Sequence, residues 1–85
     1  MAELLKVEKI AVAKVYVPAK KRTTLDPKKV DEIAESMLAS GQLTPIMVRR
    51  DGNRFVLVEG LHRLEACKAL GEAMINGIFV QARRS

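Results

Sequence analysis

The chain has 85 residues, 48% of them hydrophobic and 29% charged, which is an ordinary balance for one small folded domain. A single cysteine and a single histidine exclude an intramolecular disulfide framework and the usual zinc spacings. No apolar run approaches the ~18 residues of a membrane span, and the N-terminus lacks a signal-peptide pattern. We therefore expect one cytoplasmic domain over residues 1–85, with no membrane contact. The net charge of +5 favours anionic partners, although a solvated basic surface explains it equally well.

The first half of the chain predicts strand, connector and helix. Val7 to Val17 is rich in β-branched residues and predicts one strand, or two short ones, closed by Pro18. The basic run from Lys20 to Thr24 has no periodicity and reads as a connector. Asp26-Pro27 is typical of a helix start, and Gly41 of a helix end. The helix between them carries an apolar stripe formed by Val30, Ile33, Ala34, Met37 and Leu38.

The second half predicts a hairpin, a helix and a last strand. Asp51-Gly52 joins strands Ile46 to Arg50 and Arg54 to Glu59. Gly60 ends the second strand, and Gly71 ends the helix that follows. Met74 to Gln81 forms the last strand, and Asn76-Gly77 either bends this strand or makes it start later. Residues 83–85 form a frayed end. The apolar positions of the second helix are Leu61, Leu64, Ala66, Cys67, Ala69 and Leu70. The expected fold is α+β, with a mixed sheet of about four strands and two main helices.

The most informative segment is the passage from strand to helix through Gly60. The first backbone N–H groups of a helix lack internal acceptors and point toward one place, where an anion is favoured. His62 and Arg63 add positive charge to that first turn, which opposes the helix dipole by about 0.3–1 kcal/mol in the absence of an anion. Lys28 and Lys29 do the same at the other helix start. Such conflicts with local rules mark functional sites.

A structural explanation of these cations stays open. Asp26, Asp31 and Glu32 can offset the two lysines, and Glu59 can pair with Arg63.

These segments resemble the ParB N-terminal/sulfiredoxin superfamily. The resemblance rests on four segments between Ile10 and Val80: residues 25–30, 41–46, 60–63 and 66–71. In the ParB branch the segment that matches Gly60-Leu61-His62-Arg63 is Gly-Glu-Arg-Arg. That segment binds the phosphates of CTP, and it belongs to a longer protein that clamps on DNA. In sulfiredoxins it is Gly-Cys-His-Arg, whose last two residues hold ATP phosphates. The resemblance implies a site for ATP or CTP, with or without Mg²⁺.

The resemblance also implies roles for individual residues. His62 and Arg63 would be phosphate ligands, together with the backbone of Gly60 and Leu61. Lys29 and Ser36, on the first helix, match positions that contact the nucleotide, with Ser36 on the base or ribose side. The run Lys20-Lys21-Arg22 matches a segment that lines the same pocket, with a solvated connector as the alternative.

Two departures limit what carries over. Leu61 stands where sulfiredoxins have their reactive cysteine, so sulfiredoxin activity is not expected. Cys67 does not replace that thiol because it lies on the apolar stripe, where we expect it to be buried. Glu32 replaces a small polar residue of the sulfiredoxin site, which puts identical base recognition in doubt. The 85 residues also contain no expected helix-turn-helix or dimerisation segment.

Glu59 is the candidate catalytic residue, because kinase-like relatives have an acidic residue there that assists Mg²⁺. Its alternatives are pairing with Arg63 and a solvated strand end. The leading functional hypothesis is a nucleotide-phosphate binding module of the ParB type, with a regulatory role in DNA partition or plasmid biology. A nucleic-acid binding module or weak nuclease is one rival, and an NTP-dependent kinase or ATPase using Glu59 is another. DNA, a protein partner and a second copy of the chain are compatible partners besides the nucleotide.

Overall fold

Five strands and three α-helices succeed one another in the computed structural model of the protein, which describes residues 6–41 and 44–80. The strands are β1 (Val7–Ala11), β2 (Val15–Tyr16), β3 (Ile46–Asp51), β4 (Arg54–Glu59) and β5 (Met74–Phe79). The helices are α1 (Ala19–Arg22), α2 (Pro27–Ser40) and α3 (Leu61–Ala69). The α+β class is as predicted from the sequence.

The sheet is mixed, with the strand order β1-β5-β3-β4-β2. The pairs β1–β5 and β3–β4 are antiparallel, whereas β3–β5 and β2–β4 are parallel. The prediction of about four strands was one strand short. A 3-10 turn at Val12–Lys14 divides the first β-rich segment, and its two halves pair at opposite edges of the sheet. The backbone N–H of Val12 donates to the carbonyl of Ala73 at 3.0 Å, which holds this turn in place.

The basic connector is also partly helical, contrary to its prediction. Ala19–Arg22 winds into α1, and the N–H of Lys21 donates to the carbonyl of Pro18 at 3.0 Å. The hydroxyls of Thr23 and Thr24 close the turn, because they donate hydrogen bonds to the carbonyls of Lys20 and Lys21, respectively. A single helical turn is too short to show a helical period in the sequence, which explains the error.

Helix α2 begins and ends where its flanking residues indicate. The Asp26 carboxylate accepts from the N–H of Lys28 at 3.0 Å, and Gly41 ends the helix with φ +80°. No residue of α2 is fully buried. Leu38 was expected in the apolar stripe but is 74% exposed, because only a narrow stripe of α2 faces α3. That stripe consists of the half-buried residues Val30, Ile33, Ala34 and Met37.

Helix α3, by contrast, is anchored in the core. Leu61, Leu64 and Cys67 pack on one face of the sheet. The facing residues of the sheet are Ile10, Ile46, Val48, Leu57 and Ile75. The last strand is continuous through Asn76-Gly77, so it does not start late, and a Cβ at Gly77 would meet the terminal methyl group of Ile10. Gln81 and residues 83–85 lie outside the described residues.

The turn from β4 into α3 depends on Gly60. Its φ is +114°, a backbone region that favours glycine. A Cβ at this position would lie 2.9 Å from the Cβ of Ile46 and 3.2 Å from its Cα. Because Ile46 is fully buried at the start of β3, neither atom can move away easily. Gly60 is therefore fixed by the packing of the fold itself, whatever it contributes to a ligand.

We predict that Gly60→Ala lowers the free energy of unfolding by about 3 kcal/mol, because overpacking adds to the strain of a positive φ. Gly71→Ala is the matched control, since Gly71 has φ +74° but nothing within 4 Å of its Cβ position. It should cost only about 1 kcal/mol. Urea denaturation of both variants measures the difference, and equal losses would contradict the role given to Ile46.

Candidate functional site

The first turn of α3 presents free backbone donors. The N–H of Leu64 is bonded to the carbonyl of Gly60 at 2.9 Å, so the N–H groups of Leu61, His62 and Arg63 precede the first intrahelical bond. Gly60 has no capping side chain, and the first turn contains no acidic residue. The helix start therefore has the geometry and the sign of charge that attract an anion.

The three side chains of this turn point to different surroundings. Leu61 is buried in the core, so only its backbone is available to a ligand. His62 is half-buried, and its Nε2 accepts a hydrogen bond from the backbone N–H of Asp26 at 3.0 Å. Arg63 is half-buried and lines a pocket between α2 and α3. The side chains of His62 and Arg63 thus have different surroundings, and their shared role as phosphate ligands stays a prediction.

The pocket beside Arg63, called the Arg63 pocket below, has a volume of about 190 Å³. Its polar lining residues are Arg63, Ser36 and Thr44, and none of the described residues that line it is acidic. The Nε of Arg63 is shielded from solvent and has no hydrogen-bond partner. The remaining lining residues are Ile33, Met37, Gly41, Cys67 and Ile75.

An arginine N–H buried without an acceptor is unfavourable by about 1–3 kcal/mol. Two hydroxyl groups line the same pocket, and hydroxyls can donate to an oxyanion as well. The predicted pairing of Arg63 with Glu59 is absent: no ion pair joins them within the described ranges, where the two ion pairs are Arg54–Asp51 and Lys68–Glu65. The three polar residues of the Arg63 pocket are therefore of a kind that binds anions.

A second, more open hollow lies at the start of α3. It is lined by Lys21, Thr24, Val58, Glu59, Gly60 and Leu61. Of the predicted basic run, only Lys21 reaches this hollow; Lys20 and Arg22 are exposed and line neither it nor the Arg63 pocket. Lys29 is likewise exposed and lines neither. The assignment of these three residues to a site stays a prediction.

Glu59 is exposed at the end of β4 and lines the hollow beside Lys21. Across residues 6–41 and 44–80, no three histidine, cysteine or carboxylate side chains come close enough to hold a metal ion by themselves. Glu59 can therefore assist a metal ion only together with other oxygen ligands, such as phosphates.

Sequence reasoning overlooked Thr44 and Thr24. Thr44 lies between Gly41 and Pro45 and lines the Arg63 pocket, whereas Thr24 lines the hollow. Neither belongs to a periodic pattern. The available signal was the position of Thr44 inside one of the four segments that carry the family resemblance.

Cys67 is completely buried, as predicted. Burial raises the pKa of its thiol, and the nearby charge of Glu72 raises it further. The thiol therefore stays protonated at pH values where an exposed cysteine already ionises, which makes it a weak nucleophile. It forms part of the floor of the Arg63 pocket.

The fold and the glycine-started helix place the chain in a known family. The ParB N-terminal domain model matches residues 2–85, and the chain belongs to this family. It is 40% identical over 58 residues to a probable chromosome-partitioning protein ParB of Campylobacter jejuni, and 42% identical over 50 residues to the chromosome-partitioning protein ParB of Myxococcus xanthus. These matches cover 68% and 59% of the chain but only 21% and 17% of those two proteins.

Solved structures share the fold. Sulfiredoxin from Arabidopsis thaliana superposes with a TM-score of 0.80 and 25% identity, covering 91% of the chain and 86% of the sulfiredoxin. ParB from Caulobacter crescentus, in complex with CTP-gamma-S, superposes with a TM-score of 0.79 and 18% identity over 92% of the chain and 46% of that protein. A free serine kinase in complex with AMP gives a TM-score of 0.78 and 20% identity over 92% of the chain and 32% of the kinase. In the described ranges, no helix is long and apolar enough to cross a membrane.

We predict that Cys67 reacts slowly with a thiol reagent such as DTNB in the folded protein and rapidly in urea. Because its pKa is raised, the folded rate should begin to climb only at a higher pH than for an exposed cysteine. The control is Ser40→Cys in a Cys67→Ala background, since Ser40 is exposed at the end of α2. Equal rates for the two thiols at pH 8 would contradict the buried, protonated state of Cys67.

Proposed function

We propose that the chain is a nucleotide-binding module of the ParB type that takes the phosphates of ATP or CTP at the Arg63 pocket. The observation that carries the proposal is Arg63, which lines a pocket with Ser36 and Thr44 and whose Nε is buried without a hydrogen-bond partner. A phosphate in this pocket can accept hydrogen bonds from the guanidinium of Arg63. Hydrogen bonds between a guanidinium and a phosphate are charge-assisted and therefore strong.

The surrounding groups fit the same ligand. The Ser36 and Thr44 hydroxyls can donate to further phosphate oxygens, and the free N–H groups of Leu61 to Arg63 add the positive end of the α3 dipole. A pocket of about 190 Å³ holds only part of a nucleotide. The rest of the ligand then lies outside this pocket.

Related proteins support a nucleotide without deciding the base. The Caulobacter crescentus ParB structure contains CTP-gamma-S, and the free serine kinase structures contain AMP or ADP. The matched relatives are chromosome-partitioning proteins. We therefore propose a regulatory role in DNA partition. If Mg²⁺ accompanies the phosphates, Glu59 is the residue that can assist it, because Mg²⁺ is commonly held by one or two carboxylates together with substrate phosphates.

We predict that Arg63→Ala keeps the melting temperature of the unliganded protein, because the change removes a cation from a helix start and an unsatisfied buried N–H. The same variant should lose about 2–3 kcal/mol of affinity for ATP or CTP. Isothermal titration calorimetry measures the affinity and scanning calorimetry the melting temperature. Arg49→Ala is the control, since Arg49 is also half-buried but lies on β3 and lines neither pocket.

A lower melting temperature of Arg63→Ala together with unchanged nucleotide affinity would show that Arg63 only supports the fold. Binding of duplex DNA rather than nucleotide, with an affinity that falls steeply as salt increases, would favour the nucleic-acid alternative. Mg²⁺-dependent phosphate release that is lost in Glu59→Gln would establish the kinase or ATPase alternative.

A further inference from the structure

We infer that His62 is a positioning residue, which sets the Arg63 pocket by joining the starts of α2 and α3 through its Nε2. The inference rests on the proposed function, since it concerns how that pocket is held. It is separate from the phosphate contact that the family resemblance implies for this histidine, which involves the other ring nitrogen.

The hydrogen bond from Asp26 to His62 links residues 36 positions apart in the chain. Asp26 is also the cap of α2: its carboxylate accepts from the N–H of Lys28, and its carbonyl accepts from the N–H of Val30 at 3.2 Å. His62 is therefore bonded to the residue that fixes where α2 begins. An imidazole nitrogen that accepts a hydrogen bond carries no proton, so Nε2 is not available to donate to a phosphate.

Helix α2 has few other anchors. None of its residues is fully buried, whereas α3 contributes four buried residues. Yet α2 supplies Ile33, Ser36 and Met37 to the Arg63 pocket. Ser36 lies ten residues beyond Asp26, which is about 15 Å along the helix axis. A small change of helix angle at Asp26 thus becomes a displacement of Ser36 relative to Arg63, which directly follows His62 in α3.

Two conservative substitutions separate positioning from direct contact. In His62→Gln, the amide oxygen stands as many bonds from Cβ as Nε2 does, so it can accept the bond from Asp26. In His62→Asn, the amide reproduces the place of Nδ1, the ring nitrogen that remains able to donate to a ligand, but it cannot reach Asp26. His62→Ala removes both.

The experiment measures ATP and CTP affinity by isothermal titration calorimetry, at a temperature well below every melting temperature, for wild type and the three variants. We expect Asn and Ala to bind about three- to tenfold more weakly than wild type, as the loss of one hydrogen bond implies, and Gln to bind more tightly than Ala. The melting temperatures without ligand should follow the same order.

Other outcomes overturn the inference. If Asn binds as wild type and Gln as Ala, the bond to Asp26 does not set the pocket, and His62 acts on the ligand only through the Nδ1 position. If the melting temperature falls in Asn and Ala while affinity is unchanged, the bond to Asp26 has only a structural role. Failure of the proposed function is distinguishable from both, because wild type itself would then bind neither nucleotide.

Discussion

The close approach of Gly60 to Ile46 constrains much of this structure. The chain leaves β4 and enters α3 within one residue, at φ +114° and against the backbone of β3. This turn places Leu61 in the core and fixes α3 on the sheet through Leu64 and Cys67. With α3 fixed, the orientation of its first turn is fixed as well, including the free N–H groups and the direction of Arg63.

The two helices differ in how firmly they are held, and the Arg63 pocket lies between them. Helix α3 is buried along one side, whereas α2 packs only through half-buried residues and through the bond between Asp26 and His62. The Nε of Arg63 is buried there without a hydrogen-bond partner, which is unfavourable in the free protein.

Local patterns in the sequence predicted the elements that have strong local causes. The Asp26 cap, the Gly41 stop and the Asp51-Gly52 turn all act within a few residues, so α2 and the β3–β4 hairpin were predictable. The first β-rich segment stayed open between one strand and two short ones, because β1 and β2 find their partners 40 or more positions away, in β5 and β4. Helix α1 was missed because one turn carries no period.

The candidate site was also predictable from the sequence only in part. The strand–glycine–helix pattern indicated the helix start, and the resemblance brought Ser36 and Arg63 into one site, where the structure also brings them together. The direction of each side chain depended on tertiary contacts: His62 turns to Asp26, Arg63 turns toward α2, and Thr44 joins them from a loop. No spacing in the sequence encodes these three directions.

The central claim is that a nucleotide binds between α2 and α3 through its phosphates. The most direct measurement is a titration of the ¹⁵N-labelled protein with CTP and, separately, ATP, followed by backbone amide chemical shifts. We expect saturable changes in the amide chemical shifts of Ser36, Thr44 and Leu61 to Arg63. These changes should persist at high salt, and the amide shifts of β1 should change little. Shifts confined to the exposed Lys20, Arg22 and Lys29, which disappear as salt increases, would contradict it.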